Sequence, residues 1–320
     1  MPTRSSLGVD RILSRYTLLL KNQDKMYVGD KCLPVATVNH PRGKYYTVAP
    51  GFSYASPGHG LLRNSGAAFR RVTTDVTQSD LFDLKEYGVE SFLDDIDREF
   101  AGSDALDLRQ AATEIAFQKA MIERERDFAD LLFSTTTFSG ALNTSVGGSS
   151  QWDNAASNPL DQVDAAAEKI RQSTGIPRSE LSMLLGAKVW EACRKNAALT
   201  DFYKNVVAGA TTLDEATVAS ALGIKEIIVG RSVGNTAKEG QAVSMADIWG
   251  KFALVFHKVD NPRPLTPHGI GATFSMAGRQ AGRVERYREE PRNEVILVSY
   301  LEDRVVTNAS AGHLFTTVVA

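Results

Sequence analysis

The sequence predicts an α+β fold whose parts are discontinuous along the chain. Three observations carry that prediction. The stretch from Ser103 to Ser134 contains no Gly and no Pro and reads as one long helix. About 100 residues of alternating helix and strand follow it, and strand-like sequence closes the chain from Gly282 to Ala320.

Residues 1 to about 40 hold one short amphipathic patch (Ile12, Leu13, Tyr16, Leu19) and then irregular sequence, which predicts an arm. From Pro41 the text is rich in Gly and Pro, with Lys44 to Val48 strand-like and Phe69 to Leu84 alternating. Together these predict a long hairpin, and its aromatic residues Tyr45, Tyr46, Phe52 and Tyr54 have no core of their own to enter. The helix after it opens on Ser103-Asp104, a good N-cap pair. On a helical wheel Leu108, Ala111, Ile115, Ile122, Ala129 and Phe133 share one side, while Leu106, Phe117, Met121, Phe128 and Leu131 gather nearly opposite. Two apolar sides predict a beam covered from two directions. Glu123, Arg124 and Arg126 sit in a mixed-sign block between them.

A Ser/Thr/Asn/Gly-rich connector (134–159) marks a boundary. Beyond it, helices are expected at Leu160–Ser173, Ala187–Asn196 and Asp214–Leu222, with strands at Leu181–Leu185 and Lys225–Val229. The last region predicts strands at Val284–Arg288 and Val295–Leu301 around a turn, returning beside the long helix.

Composition narrows the function. Hydrophobic content of 43% with 23% charged residues is ordinary for a globular protein, and a net charge of −2 argues against a nucleic-acid grip over the whole surface. The two cysteines, Cys32 and Cys193, form neither a disulfide framework nor a zinc site, which points to a reducing compartment. No stretch approaches the ~20 apolar residues of a membrane span, and no signal-peptide core is present.

Candidate chemistry is sparse. Gly230-Arg231-Ser232-Val233-Gly234 matches the nucleophile elbow of hydrolases and follows a strand, with Asp247 or Asp260 and His257, His268 or His313 available as partners. The mechanism needs a helix directly after the serine, and a polar loop follows instead. Phosphate-binding loops are absent, and the five histidines show no metal-ligand spacing. Catalytic, cofactor and metal residues are therefore expected to be none. Arg63, Arg70 and Arg71 lie beside the hairpin, where they could meet acidic groups on a neighbour or nucleic acid.

Several stretches, in order, carry a family likeness. They are Asp83 to Glu90 with Asp94-Asp95, Trp152 with Asn158-Pro159, and Gly175-Ile176-Pro177 leading into Leu184 to Trp190. Leu222 to Gly230, Thr236 to Gly240, Ile248-Trp249-Gly250, Pro267 to Phe274 and Ala311 to Leu314 continue it. From about residue 40 to its end the chain resembles the major capsid proteins of tailed bacteriophages, with the Hong Kong 97 fold.

That resemblance implies a division of the chain. Residues 1–40 would be the N-terminal arm and 41–80 the extended loop. Residues 81–154 and 271–320 would form the peripheral domain with spine helix 104–133, and 155–270 the axial domain. It implies a structural, non-enzymatic protein that assembles with itself into pentamers and hexamers of an icosahedral head enclosing double-stranded DNA, held by non-specific contact. Scaffolding, portal and decoration proteins are candidate further partners; no membrane, cofactor or small-molecule substrate is expected. The chain would reside in the virion after assembly in the host bacterial cytoplasm. Lys44, Tyr45, Tyr46, Phe52, Tyr54, Arg63, Arg70, Arg71, Glu123, Arg124 and Arg126 are the candidate inter-subunit contacts. Two alternatives stay open: a nanocompartment shell of the same fold, and an α/β serine hydrolase using Ser232.

Overall fold

The computed structural model describes residues 4–23, 26–48, 65, 76–101, 105–206, 214–238, 240–263, 269–277, 279–280, 282–289 and 293–320. The first part of the chain runs β1 (Arg4–Val9), α1 (Arg11–Gln23), α2 (Gly29–Cys32), β2 (Val35–Val38), β3 (Arg42–Val48), β4 (Val76–Asp83), β5 (Lys85–Asp94), α3 (Asp95–Ala101) and α4 (Ala105–Leu132). The middle holds β6 (Asn143–Ser145), α5 (Pro159–Thr174), β7 (Leu181–Gly186), α6 (Ala187–Lys195), α7 (Ala197–Val206), α8 (Glu215–Leu222), β8 (Glu226–Gly230), β9 (Val233–Asn235), β10 (Met245–Asp247) and β11 (Ala253–His257). β12 (Gly271–Met276), β13 (Arg283–Glu289), β14 (Asn293–Val306) and β15 (Gly312–Thr316) follow.

The long helix α4 spans 28 residues, or ~42 Å. Ala112, Ala116, Phe117, Ala120 and Met121 are buried along one side, against Ile296, Val298 and Tyr300 of β14 and Leu13 of α1. Alanines repeating every four residues let the sheet come close to the helix axis. The second apolar side divides. Ala129 and Phe133 are buried beside Trp249 and Phe252, whereas Ala111 and Ile115 are exposed.

β14 organises the first sheet, whose order is β1-β13-β14-β12-β2 with β5 also on β14. Asn293–Ser299 pairs with β13, Asn293–Glu302 with β5, and Glu302–Val306 with β12, antiparallel throughout. Residues alternate along a strand, so Glu294, Ile296, Val298, Tyr300 and Glu302 share the side facing α4. That side has an apolar centre and an acidic residue at each end.

The segment read from sequence as an arm is built into this body. β1 pairs with β13, β2 lies parallel beside β12, and α1 buries Leu13 and Thr17. The physical reason is that edge pairing uses backbone groups, and strands as short as RSSLGV and VATV carry too few residues for a period to stand out, although Ala36 and Val38 do alternate into the core. β3 and β4 form the expected hairpin stem, and Tyr45 and Phe82 stack on Phe274 at 6.2 and 4.6 Å. The loop the stem carries (49–64 and 66–75) lies outside the described residues.

The second sheet has the order β6-β15-β11-β7-β8. In β7 every residue is buried, and the two faces serve two cores. Leu181, Met183 and Leu185 pack with α5, α6 and α8, whereas Leu184 joins Leu254, Phe256 and Leu314 over the end of α4. The helices begin and end where the sequence places caps. Asn158 accepts from the Leu160 N–H before Pro159, Asp214 accepts from the Thr217 N–H, and Gly175 and Gly223 close their helices at φ 74° and 61°.

At the turn from β7 into α6, a Cβ on Gly186 would stand 2.1 Å from the Gly250 carbonyl oxygen and 3.0 Å from that of Trp249. Neither is a side chain that can swing away. Gly186→Ala is expected to cost ~1–3 kcal/mol or more, read as a lower denaturant midpoint at unchanged slope.

Candidate functional site

The most concentrated chemistry in the described residues is a buried ionic junction where α2, α4 and β14 meet. Arg124 of α4 is nearly inaccessible. Its Nε donates to Glu302 Oε2 at 2.8 Å, one Nη to Glu302 Oε1 at 3.1 Å, and the same Nη to Asp30 of α2. Lys21 of α1 reaches Asp30 at 2.7 Å. Arg304 donates to Asp127 at 2.7 Å and lies over the rings of Phe128, Tyr87 and Tyr300 at 5.0–5.9 Å. Burial alone would raise the Asp30 carboxyl, but Arg124 and Lys21 outweigh it and hold it well below the usual carboxylate range.

Fifteen residues earlier on α4, Arg109 forks onto Glu294 with contacts of 2.9, 3.1 and 3.3 Å. Arg286 adds a 3.0 Å contact to Glu294 and reaches Asp10 at 2.8 Å. Fifteen helical residues advance ~22 Å, and the eight strand residues from Glu294 to Glu302 advance ~26 Å. The two clamps therefore match the rise of the helix to that of the strand beneath it.

Glu125, next to Arg124, differs in kind. Its Oε1 accepts from the Gly29 N–H at 2.8 Å, while its Oε2 is buried without a hydrogen-bond partner. The indole Nε1 of Trp249 is also buried and without a hydrogen-bond partner, and it favours the ionised form of Glu125. Burial, the largest influence, pushes the Glu125 carboxyl up to about 7 against the pull of Gly29, Arg124 and Trp249.

The residues singled out from sequence fall in several places. Lys44 is exposed on β3, and Tyr45 is buried on Phe274. Tyr46 is in the β3 ladder, opposite Gln78. Phe52, Tyr54, Arg63, Arg70 and Arg71 lie outside the described residues. Glu123 is exposed and pairs with Arg126 at 2.7 Å, and Arg126 also donates to the Asn235 carbonyl, tying α4 to the β9–β10 hairpin. Arg124 is spent inside its own chain. A residue flanked by Glu123 and Arg126 reads as solvated from sequence, yet the helical turn points it at Glu302.

The junction's other members, Asp30, Arg109, Glu125, Glu294, Glu302 and Arg304, escaped the sequence reading. Their one signal was a charged residue standing at each end of the β14 alternation.

The hydrolase alternative fails on geometry. Ser232 is fully buried with an unpartnered Oγ, and strand β9, not a helix, follows it. Asp260 pairs with Lys225 and Asp247 with Lys188. His313 bonds Thr144 at 2.9 Å inside the second sheet, where burial and Lys169 depress its pKa to about 4. His268 lies outside the described residues. A groove of about 840 Å³ beside α6, α8 and β8 carries Arg194, Glu215, Lys225 and Arg231, each ion-paired with a residue of this chain. Among the described residues, no group of His, Cys, Asp and Glu could hold a metal ion, and no helix is long and apolar enough to cross a membrane.

Comparison with known proteins supplies the remaining evidence. A family described as phage major capsid protein E matches residues 132–245. The chain is similar to the major capsid protein of Pseudomonas phage JBD67, 23% identical over 302 residues and 92% of each chain. It is likewise similar to that of Burkholderia phage BcepMu, 24% identical over 316 residues and 96% of each. Among solved structures, a phage-related protein from Bordetella bronchiseptica RB50 superposes with a TM-score of 0.76 over 98% of both chains at 21% identity. The mature capsid protein of bacteriophage PhiM1 gives 0.53 over 88% of this chain and 84% of its own, at 12% identity.

Two stability outcomes follow from the junction. Arg124→Met leaves Asp30 and Glu302 without their buried cation and is expected to cost ~3–5 kcal/mol in denaturant titration. For Glu125 the folded-state pKa is raised, so its stabilising contribution is present below the unfolded value near 4.5 and lost as pH rises through about 7. Glu125→Gln should accordingly gain ~1–3 kcal/mol at pH 8, with the gain gone by pH 4.5. Equal gains at both pH values would contradict the ionised, buried carboxylate.

Proposed function

We infer that this chain is a wall-building subunit, a structural and non-enzymatic major capsid protein of the tailed-phage type with the α+β Hong Kong 97 fold. The observation that carries the reading is likeness over more than nine tenths of the chain to two phage major capsid proteins. The site geometry agrees with it. Among the described residues the buried charged groups fasten one element of the chain to another, and the Gly-x-Ser-x-Gly motif is buried and incomplete.

On this reading copies assemble with one another into a shell as part of the virion. The finer picture is pentamers and hexamers closing an icosahedral head around double-stranded DNA, assembled in the host cytoplasm. Many modest contacts would hold such a shell, each reinforced by the others. Residues 81–154 and 271–320 would form the peripheral domain, 155–270 the axial domain, and 41–80 the extended loop over a neighbour. Residues 4–38 would then belong with the peripheral body, since β1, α1 and β2 are joined to its sheet. With a net charge of −2, contact with DNA would be local and non-specific. Portal, scaffolding and decoration proteins would be its other partners. A nanocompartment would use the same architecture; the sequence relatives favour the phage head.

Size-exclusion chromatography followed by negative-stain electron microscopy tests this. Closed particles tens of nanometres across, or rings of five and six, are expected. A chain that stays monomeric at 34.8 kDa under crowding and added salt would overturn it. Replacing residues 50–74 by a short Gly-Ser link keeps the β3–β4 stem. That variant should fold with an unchanged melting temperature yet form no closed shells; normal particles would remove the loop from the assembly contacts.

A further inference from the structure

Two short helices of the described chain present opposite, unspent charges beside exposed apolar side chains. α1 is held rigidly from beneath. Asp10 accepts from the Ile12 and Leu13 N–H groups at 2.9 and 3.0 Å, Leu13 enters the core, and Thr17 donates to the Gly282 carbonyl at 2.6 Å. Its outer side carries Arg11, Ile12, Arg15, Leu18 and Leu19, all exposed, with Ile12 at 69%. These positions step by one, three and four, so they form one continuous helical stripe.

α3 is the mirror of this in charge. Asp94 caps it by accepting from the Ile96 N–H at 3.1 Å, and Asp95 faces Arg288 on the sheet side. Ile96, Asp97, Glu99 and Phe100 are exposed, and Phe100, at 87%, is almost wholly in water. Some surface charges of this chain pair three residues away on their own helix. Arg11, Arg15, Asp97 and Glu99 have no ion pair with a described residue.

We propose that the acidic, apolar face of α3 in one copy docks on the basic, apolar face of α1 in the next. The inference rests on the shell reading above and names one of its contacts. Following the shell reading, each copy offers α1 to one neighbour and α3 to another, a heterologous contact that propagates into a ring or curved sheet, whereas a reciprocal pair would stop at crosslinked dimers. Phe100 and Ile96 supply the buried apolar centre against Ile12 and Leu19, and the carboxylates meet the guanidinium groups around it.

The test is an orthogonal pair of reversals with a crosslink. Asp97→Lys with Glu99→Lys, and separately Arg11→Glu with Arg15→Glu, should each keep the wild-type melting temperature. Each should lower the assembled fraction at fixed protein concentration by ~tenfold or more, because a per-contact loss multiplies over a shell. Mixing the two reversed proteins makes complementary faces and should restore joint assembly. In a chain carrying Arg15→Cys and Glu99→Cys, a short bismaleimide should give a ladder of linked copies, which neither single variant gives. The native thiols Cys32 and Cys193 are buried and do not compete. Shells that form without a ladder, and reversals that leave assembly unchanged, would overturn this contact while leaving the shell reading intact. Absence of both shells and ladder from the unreversed chain at every concentration would sink the two together.

Discussion

The register between α4 and β14 is the constraint on which the rest of the structure depends. Between the two clamps, at Arg109–Glu294 and Arg124–Glu302, Ala112, Ala116 and Ala120 let the sheet close on the helix, and Phe117 and Met121 fill the space beside them. Buried ion pairs contribute little net stability, since desolvation offsets their attraction. Their worth here is in specification. A helix slipped by one turn would strand two carboxylates in the core and unseat Phe117 and Met121 as well. The same clamps fasten α1 and α2 through Asp30 and Lys21, so the N-terminal segment inherits its position from the helix.

How much of this was legible in the sequence depended on whether the signal was local. The long helix was expected at 104–133 and spans 105–132, because helix propensity summed over so long a stretch without Gly or Pro is a local signal strong enough to read. Asn158, Asp214, Gly175 and Gly223 announced helix ends through cap chemistry confined to a few residues. β14 was expected only over 295–301, because the apolar run stops at Leu301; the partners of Glu302 and Arg304, on α4, are more than 170 positions away. For the same reason Arg124 was assigned to the surface. A charged residue reveals its burial only through a partner, and the partner is not nearby in sequence.

The absence of a catalytic centre from the described residues also has a physical form. Reactive sites leave polar groups converging on unfilled space, and here the convergent groups are filled by one another. Glu125 Oε2, Trp249 Nε1 and the Ser232 hydroxyl are among the buried atoms left without a hydrogen-bond partner. On the capsid reading, function resides instead in the outer faces, where apolar side chains such as Ile12 and Phe100 stand in water.

The second sheet is assembled from segments at 143–145, 312–316, 253–257, 181–186 and 226–230 in that spatial order, so neighbouring strands come from remote stretches of chain. Leu314 must find Asn143, 171 positions earlier in the chain, before β6 has any partner at all. Loop closure of that span is paid in entropy ahead of any reward, which makes maturation of the individual chain slow. Where such late contacts are absent from the transition state, they also slow its undoing. A copy would thus become competent to join its neighbours only after its most distant strands have met, and partly formed copies would be kept out of the wall by kinetics.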